Sequence, residues 1–327
     1  MSRVRVAVIG AGAFGRHHVR VLSQRPDVEL VAIIDADAQR LATYSREAGP
    51  RLFTNIDDLR ESVDAAVVVT PTNTHEAIGS RLLEMGVDVL IEKPIADSVR
   101  AGERLTELAH RRGRILQVGH LERFNPAILA LQKQVTIPLF FEVHRLSVFS
   151  RRSLDVDVVL DLMIHDIDIV LCLAKQRPSE IHAAGISVLS PKVDIANVRL
   201  AFSTGCIANL TASRVSTEKV RKLRLFQPGQ YISVDYARQD AACFAVRASD
   251  AALPEIAFSS LAVEKAEPLE LELASFIHAV RSRTPPVVDG QQATDALRVA
   301  ESILDKIKEH SNLVSRTLQD ARPAHSA

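Results

Sequence analysis

Five short apolar runs without polar alternation punctuate the first 120 residues: "RVAVIG", "LVAIID", "AAVVVT", "DVLIEK" and "RILQVG". Strands of this kind are covered on both faces, since neither set of alternate side chains suits water. Helical patterns fall between them, at about residues 15–25, 38–48, 74–85 and 97–112. Strand and helix in alternation predict right-handed crossovers and an α/β, doubly wound parallel sheet.

After residue 121 the pattern changes. "PLFFEVHRLSVF", "EIHAAGISVL", "NVRLAFS", "CIANLTASRV", "VRKLRLFQ" and "YISVDYA" read as strands, several with period-two alternation. Turn residues such as Ser203-Thr204-Gly205 and Pro228-Gly229 separate them. They predict a C-terminal α+β domain with a large open, mainly antiparallel sheet. One long helical pattern, "VVLDLMIHDIDIVLCLA" (158–174), interrupts them, and two more, at about 268–283 and 291–310, close the fold. The predicted boundaries are 1–120, 121–310 and a polar, frayed tail at 311–327.

Composition narrows the class. The chain has 327 residues, and its 40 Lys plus Arg balance 40 Asp plus Glu. No chain-wide field therefore draws it to nucleic acid or an anionic membrane. Three cysteines far apart (Cys172, Cys206, Cys243) suit a reducing compartment and exclude a cysteine metal site. No signal-peptide pattern precedes the first strand. The most apolar helix carries four ionisable groups, which opposes membrane insertion. The expectation is a cytoplasmic protein.

The loop "VIGAGAFG" places Gly10, Gly12 and Gly15 in a GxGxxG spacing between a strand and a helix. Such glycines permit a tight turn, close backbone approach to a pyrophosphate, and close helix–strand packing. The N–H groups at the helix start, around Ala13 and Phe14, then face the phosphates. The second strand ends in Asp35, twenty residues past Gly15, the expected place for an acid on the adenosine ribose. A dinucleotide-binding Rossmann domain follows. After Asp35 no basic residue comes before Arg40, so NAD is expected over NADP.

Two further strand ends carry polar groups: Thr70, Pro71, Asn73 and His75 in "TPTNTH", and Glu92, Lys93 and Pro94 in "EKP". Ligands of open parallel sheets bind beyond the carboxyl ends of the strands, so both segments are candidate cofactor contacts. Alone, the tripeptide reads equally well as a surface turn.

The glycine loop, "TPTNTH" and "EKP" together resemble the Gfo/Idh/MocA (glucose–fructose oxidoreductase / inositol dehydrogenase) family. The resemblance implies that Lys93 lies beside the nicotinamide and the reacting hydroxyl, and that the bond before Pro94 is often cis. An Asp-x-x-x-His on the first helix of the second domain completes the family's site, and Asp161 and His165 match it. "VGHLERFNPA" and "DVDVVLDLMIHDIDI" resemble the nucleotide-sugar branch, the UDP-N-acetylglucosamine 3-dehydrogenases. That branch supplies a 3-keto sugar to an aminotransferase, as in lipid A biosynthesis. The resemblance also implies a homodimer or homotetramer formed through the open sheet.

On a helix, Asp161, His165 and Asp168 share one face at i, i+4 and i+7, while Asp166 is turned away. A buried polar network, a metal site and acid–base chemistry compete as explanations. Known metal motifs draw ligands from several elements, so no metal is expected here. For alcohol oxidation, His165 or Lys93 is the base and Asp161 orients the ring or a sugar hydroxyl. The other then stabilises the developing alkoxide. Arg123 and Asn125 are expected at the substrate, with Arg145, Arg151 and Arg152 as further cations for a diphosphate. Rival functions are a free-polyol dehydrogenase, such as one for inositol, and a non-catalytic NAD sensor.

Overall fold

The computed structural model describes residues 3–44, 49–59, 63–149, 156–247 and 255–320. Its contacts divide the chain into two units, residues 1–124 with 266–295 and residues 125–265 with 296–327.

The first unit begins β1 (Val4–Ile9), α1 (Ala13–Gln24), β2 (Val28–Ile34), α2 (Ala38–Ala42) and β3 (Arg51–Phe53). It continues β4 (Ala65–Val68), α3 (His75–Glu84), β5 (Asp88–Glu92), α4 (Val99–Arg112) and β6 (Leu116–Gly119). The strands form one parallel sheet, ordered β3-β2-β1-β4-β5-β6. Strand order reverses between β1 and β4, which sets a ligand crevice at their carboxyl ends, beside Gly10 and Thr70. All four residues of β4 are buried, as the unbroken apolar run requires.

The helix Pro268–Ser282 also belongs to this unit, where the sequence reading had placed it in the second domain. Its Leu269, Leu273, Phe276, Ile277 and Val280 join the core of Val6, Val8, Leu22 and Leu90. An amphipathic pattern shows that a face must be buried, not which sheet it covers.

The second unit runs α5 (Pro126–Gln132), β7 (Phe140–Val148), α6 (Ile164–Ala174), β8 (Glu180–Ile186) and β9 (Ile195–Ala201). Then come β10 (Ile207–Ser216), β11 (Val220–Gln227), β12 (Gln230–Asp235), β13 (Asp240–Arg247) and β14 (Glu255–Ser260). After α7 (Pro268–Ser282), the chain re-enters this unit along α8 (Gly290–Asp320). The tail predicted to fray from residue 311 is helical through Asp320. No glycine or proline stands there to stop the helix before Pro323.

Eight strands form the second sheet, ordered β14-β13-β12-β11-β7-β10-β9-β8. Every pair is antiparallel except β7 with β10, which are parallel. One face buries Phe141, Val143, Leu210, Leu223, Leu225 and Ile232 against α5, α6 and α8. The other carries an aromatic row across five strands: Phe140, Phe226, Tyr231, Phe244 and Phe258. Tyr231 and Phe244 are stacked in parallel planes with centroids 4.5 Å apart. Phe258 and Ile256 in this region are exposed by 62% and 70%. Alternation therefore holds along the strands, and the outward positions combine this aromatic row with polar residues such as Glu142, Asn197, Arg199 and Arg224.

Candidate active site

The glycine loop explains itself at two positions and points outward at the third. Gly10 has φ +105°, and a Cβ there would lie 2.3 Å from the Val69 carbonyl oxygen. A Cβ on Gly15 would lie 1.9 Å from the Gly10 carbonyl oxygen. Backbone packing thus demands glycine at both. A Cβ on Gly12 would meet nothing within 4 Å, so the protein's own packing makes no such demand there. Close approach of the protein backbone to a pyrophosphate supplies the reason. No side chain caps α1 at Gly12, leaving its first N–H groups available to an anion. Ala13 opens the helix, and Phe14 beside it is 71% exposed.

A pocket of about 450 Å³ adjoins this loop, lined by Gly12, Ala13, Arg16, Asp37, Arg40 and Thr43. Asp35 is buried at the end of β2 and braces the loop. Its Oδ2 accepts the Ala11 N–H at 2.7 Å, and its Oδ1 accepts the Asp37 N–H at 2.9 Å. Arg40 lies 3.6 Å from Asp35 and 3.3 Å from Asp37, so two carboxylates offset its charge. These residues fit an NAD pyrophosphate and an unphosphorylated ribose. Exchanging Asp35 for serine is expected to shift the NAD⁺ to NADP⁺ ratio of kcat/KM by about tenfold or more toward NADP⁺, ~1.4 kcal/mol of discrimination. The ratio is the informative quantity, because loosening the loop weakens both cofactors alike.

The other two strand ends are joined by His75, which is 1% exposed. Its Nδ1 lies 2.9 Å from the Pro94 carbonyl and its Nε2 2.9 Å from the Thr70 carbonyl. The ring clamps "TPTNTH" to "EKP", the two segments expected at the cofactor. Thr74 Oγ1 bonds the Thr70 hydroxyl at 2.7 Å and so orders the loop, while Pro71 and Asn73 stay exposed at the crevice. Glu92, also expected at the cofactor, has partners within the unit. Its Oε1 pairs with His18 Nε2 at 2.9 Å, and its Oε2 accepts the Lys93 N–H at 3.2 Å. Burial alone would raise the Glu92 carboxyl, yet the His18 contact and the Lys93 charge hold it below the usual range. The Lys93–Pro94 bond is cis, as the resemblance implied, and Lys93 itself is half-buried. His18 was missed in the sequence, although it falls on the buried face of α1 with Gly15, Val19 and Leu22.

In the second unit, the helix bearing Asp161 opens with a π turn, Val159–Met163, where the Ile164 N–H bonds the Val159 carbonyl. Such wide turns recur at functional sites. The α-helical spacing read from sequence therefore does not hold over this first turn. Asp161 and His165 are partly exposed, whereas Asp166 and Asp168 are each 2% exposed. Asp166 has a structural partner: Arg145 donates to it through Nε at 2.7 Å and Nη2 at 2.8 Å. The same guanidinium stands 5.2 Å from the Tyr236 ring centroid. Arg145, expected as a cation for a diphosphate, is thereby paired inside the unit.

The approach to the π turn is pinned as well. The Val158 N–H bonds the Val193 carbonyl at 2.9 Å, and the Val193 N–H bonds Asp157 Oδ1 at 2.8 Å. Arg214 bonds the Val156 and Val193 carbonyls and pairs with fully buried Asp194. Desolvation opposes ionisation of Asp194, but the Ser190 hydroxyl and three backbone N–H groups hold its carboxyl down to about 2.

Arg123 and Asn125, expected at the substrate, each have partners within the protein. Both are 3% exposed. Arg123 donates to the Val287 carbonyl at 3.2 Å. Asn125 caps α5 through the Ala127 N–H and donates to the Tyr236 carbonyl at 3.0 Å. In sequence, Asn-Pro before an apolar run is also a cap-and-N1 signature, and that is the role realised here. Arg151 and Arg152 lie outside the described residues.

Comparison with known proteins agrees with this geometry. The family profile described as "Oxidoreductase family, NAD-binding Rossmann fold" matches residues 4–120, and "GFO/IDH/MocA C-terminal domain" matches residues 136–227. The UDP-N-acetylglucosamine 3-dehydrogenase of Acidithiobacillus ferrooxidans is 34% identical over 92% of this chain and 96% of its own. A solved structure of that enzyme superposes with a TM-score of 0.88, at 32% identity, covering 94% of this chain and 99% of that one. The inositol 2-dehydrogenase of Rubrobacter xylanophilus is 29% identical over 66% of each chain. The chain belongs to the Gfo/Idh/MocA family of NAD-binding Rossmann oxidoreductases.

Proposed function

We propose that the protein oxidises the 3-hydroxyl of a UDP-N-acetylglucosamine-type nucleotide sugar to a ketone. The observation that carries this is similarity to a UDP-N-acetylglucosamine 3-dehydrogenase along nearly the whole of both chains. When bound, NAD⁺ supplies the hydride acceptor. His165 takes the hydroxyl proton, since histidine ordinarily titrates near neutral pH. Asp161, one turn away, orients the ring or an adjacent sugar hydroxyl. The Lys93 ammonium stabilises negative charge as it develops on the same oxygen.

A free-polyol dehydrogenase is the second reading. Similarity to inositol 2-dehydrogenases favours it, as does the commitment of Arg123, Asn125 and Arg145 to partners within the protein. Measuring NAD⁺ reduction with UDP-N-acetylglucosamine and with myo-inositol, each with a ketone trap, separates the two. Reduction with the nucleotide sugar is expected. Reduction with inositol alone would transfer the assignment to the polyol.

We infer a cytoplasmic homo-oligomer. Among the described residues no helix is long and apolar enough to cross a membrane, and all three cysteines are free thiols. The exposed aromatic row of the second sheet is an apolar face of the kind that subunits cover. Light scattering is expected to give a dimer or tetramer at micromolar concentration, and a monomer would sink the inference.

A further inference from the structure

Behind the Lys93 turn, four elements bring polar side chains into the interior of the first unit: His18 of α1, Glu92 of β5, Gln117 of β6 and Glu272 of α7. His18 is 1% exposed, and Gln117 and Glu272 are fully buried. The Gln117 amide donates to the Glu272 main-chain carbonyl at 3.3 Å. A Cβ on Gly119 would sit 3.0 Å from Glu92 Oε2, so the Glu92 carboxylate lies against bare backbone. Among the described residues, neither carboxyl oxygen of Glu272 has a hydrogen-bond partner.

Two carboxyl groups in one buried cluster do not both ionise readily, and their donors decide which keeps the charge. Glu92 has two, the His18 ring and the Lys93 N–H. Glu272 has none among the described residues, and both burial and the Glu92 charge push it well above the usual carboxylate range. Glu272 is thus a neutral acid on a helix face otherwise made of Leu269, Leu273, Phe276 and Val280. An unpartnered buried acid destabilises a fold, and an apolar side chain at that position would not. Paired carboxyls driven apart by their surroundings are a recurring mark of acid–base sites.

We propose that Glu272 is a positioning residue for the reaction at Lys93: uncharged, it lets Glu92 hold the Lys93 turn, and a charge on it displaces that turn. The proposal rests on the assignment of Lys93 made above. The buried or partly buried titratable groups on α1, at the end of β5 and after β6 are His18, Glu92 and Lys93, and His120, Glu122 and Arg123. Of these, Glu92 acts directly on the Glu272 carboxyl. A second negative charge beside Glu92 repels it from His18 and from the Lys93 N–H. Displacing a reacting group by about 1 Å lowers a rate by about a hundredfold.

The sign follows from proton binding. The folded state holds the Glu272 proton more tightly than the unfolded chain. Its contribution is therefore present below the ordinary glutamate range and lost as pH rises toward the raised folded value.

The test compares kcat against pH for wild type, Glu272→Gln and Glu272→Leu, with saturating NAD⁺ and UDP-N-acetylglucosamine. Melting temperatures are recorded alongside. Once Glu272 ionises, the wild-type rate is expected to fall by up to about tenfold per pH unit, and both variants should keep their rate. Both should also melt higher than wild type at pH about 8, by a margin that grows with pH. A wild-type profile without an alkaline fall, a fall shared by the variants, or lower melting of both variants overturns the proposal. A Lys93→Met control reads the underlying assignment separately: its full activity would sink the role of Lys93 and leave the Glu272 profile to be judged by itself.

Discussion

Lys93→Met lowers single-turnover hydride transfer by about 10²–10⁴-fold, the usual range for losing one acid–base or charge-stabilising group. The loss should be chemical rather than structural. The Lys93 turn is held through its main chain, by Glu92 on the Lys93 N–H and by His75 against the Pro94 carbonyl. Methionine preserves the apolar stem and none of those bonds depends on the ammonium. The expected signature is a fall in kcat with the KM for NAD⁺ nearly unchanged, and an unaltered melting temperature. His165→Ala divides the roles. If His165 is the base, this variant loses the ionisation near neutral pH from its rate profile, while Lys93→Met retains it. A wild-type rate and profile in His165→Ala would return the proton to Lys93.

Asp166→Ala should be the most destabilising exchange on the helix, costing about 3–5 kcal/mol, because it leaves the buried Arg145 charge without its carboxylate. Arg145 and Asp166 are each 2% exposed and joined by two bonds, so water does not replace the lost partner. The double exchange Arg145→Leu with Asp166→Leu removes both charges and should recover most of the loss. Urea unfolding of the two singles and the double, read as a cycle, measures the coupling. Additive losses in the double variant would show that the pair does not act as a unit.

Much of this molecule could be read before any coordinates. The strands "RVAVIG" to "RILQVG" are unbroken apolar runs, and such runs have one stable use in a covered parallel sheet. The glycine loop was legible for the same reason that it is constrained: at Gly10 and Gly15 the backbone itself leaves no room for a side chain. What escaped was partner choice. His75, Glu92, Arg123 and Asn125 are polar residues in site-like segments, and sequence alone does not say which way a side chain turns. Each of them turns inward, onto carbonyls, a histidine or a helix start. The strands β13 and β14 escaped because "DAACFAVR" and "EIAFSS" are rich in small residues with weak strand preference. Glu272 left a signal that went unread. It stands three residues after Leu269 and four before Phe276, at a core position of an apolar stripe.

The four charges of the helix after residue 158 now divide by environment. Asp161 and His165 are the two left partly open, at and just beyond the π turn. Asp166 answers a buried arginine, and Asp168 lies inside the core. Chemistry is assigned only to the first pair.

The most direct measurement is isotope transfer from UDP-N-acetylglucosamine deuterated at C3 of the sugar, with NAD⁺ and a ketone trap. Oxidation of the 3-hydroxyl moves the deuterium onto the nicotinamide ring, so the reduced cofactor should carry it in full. Reduced cofactor without deuterium would place the oxidation at another carbon, and no reduction here beside turnover of myo-inositol would contradict the nucleotide-sugar assignment outright.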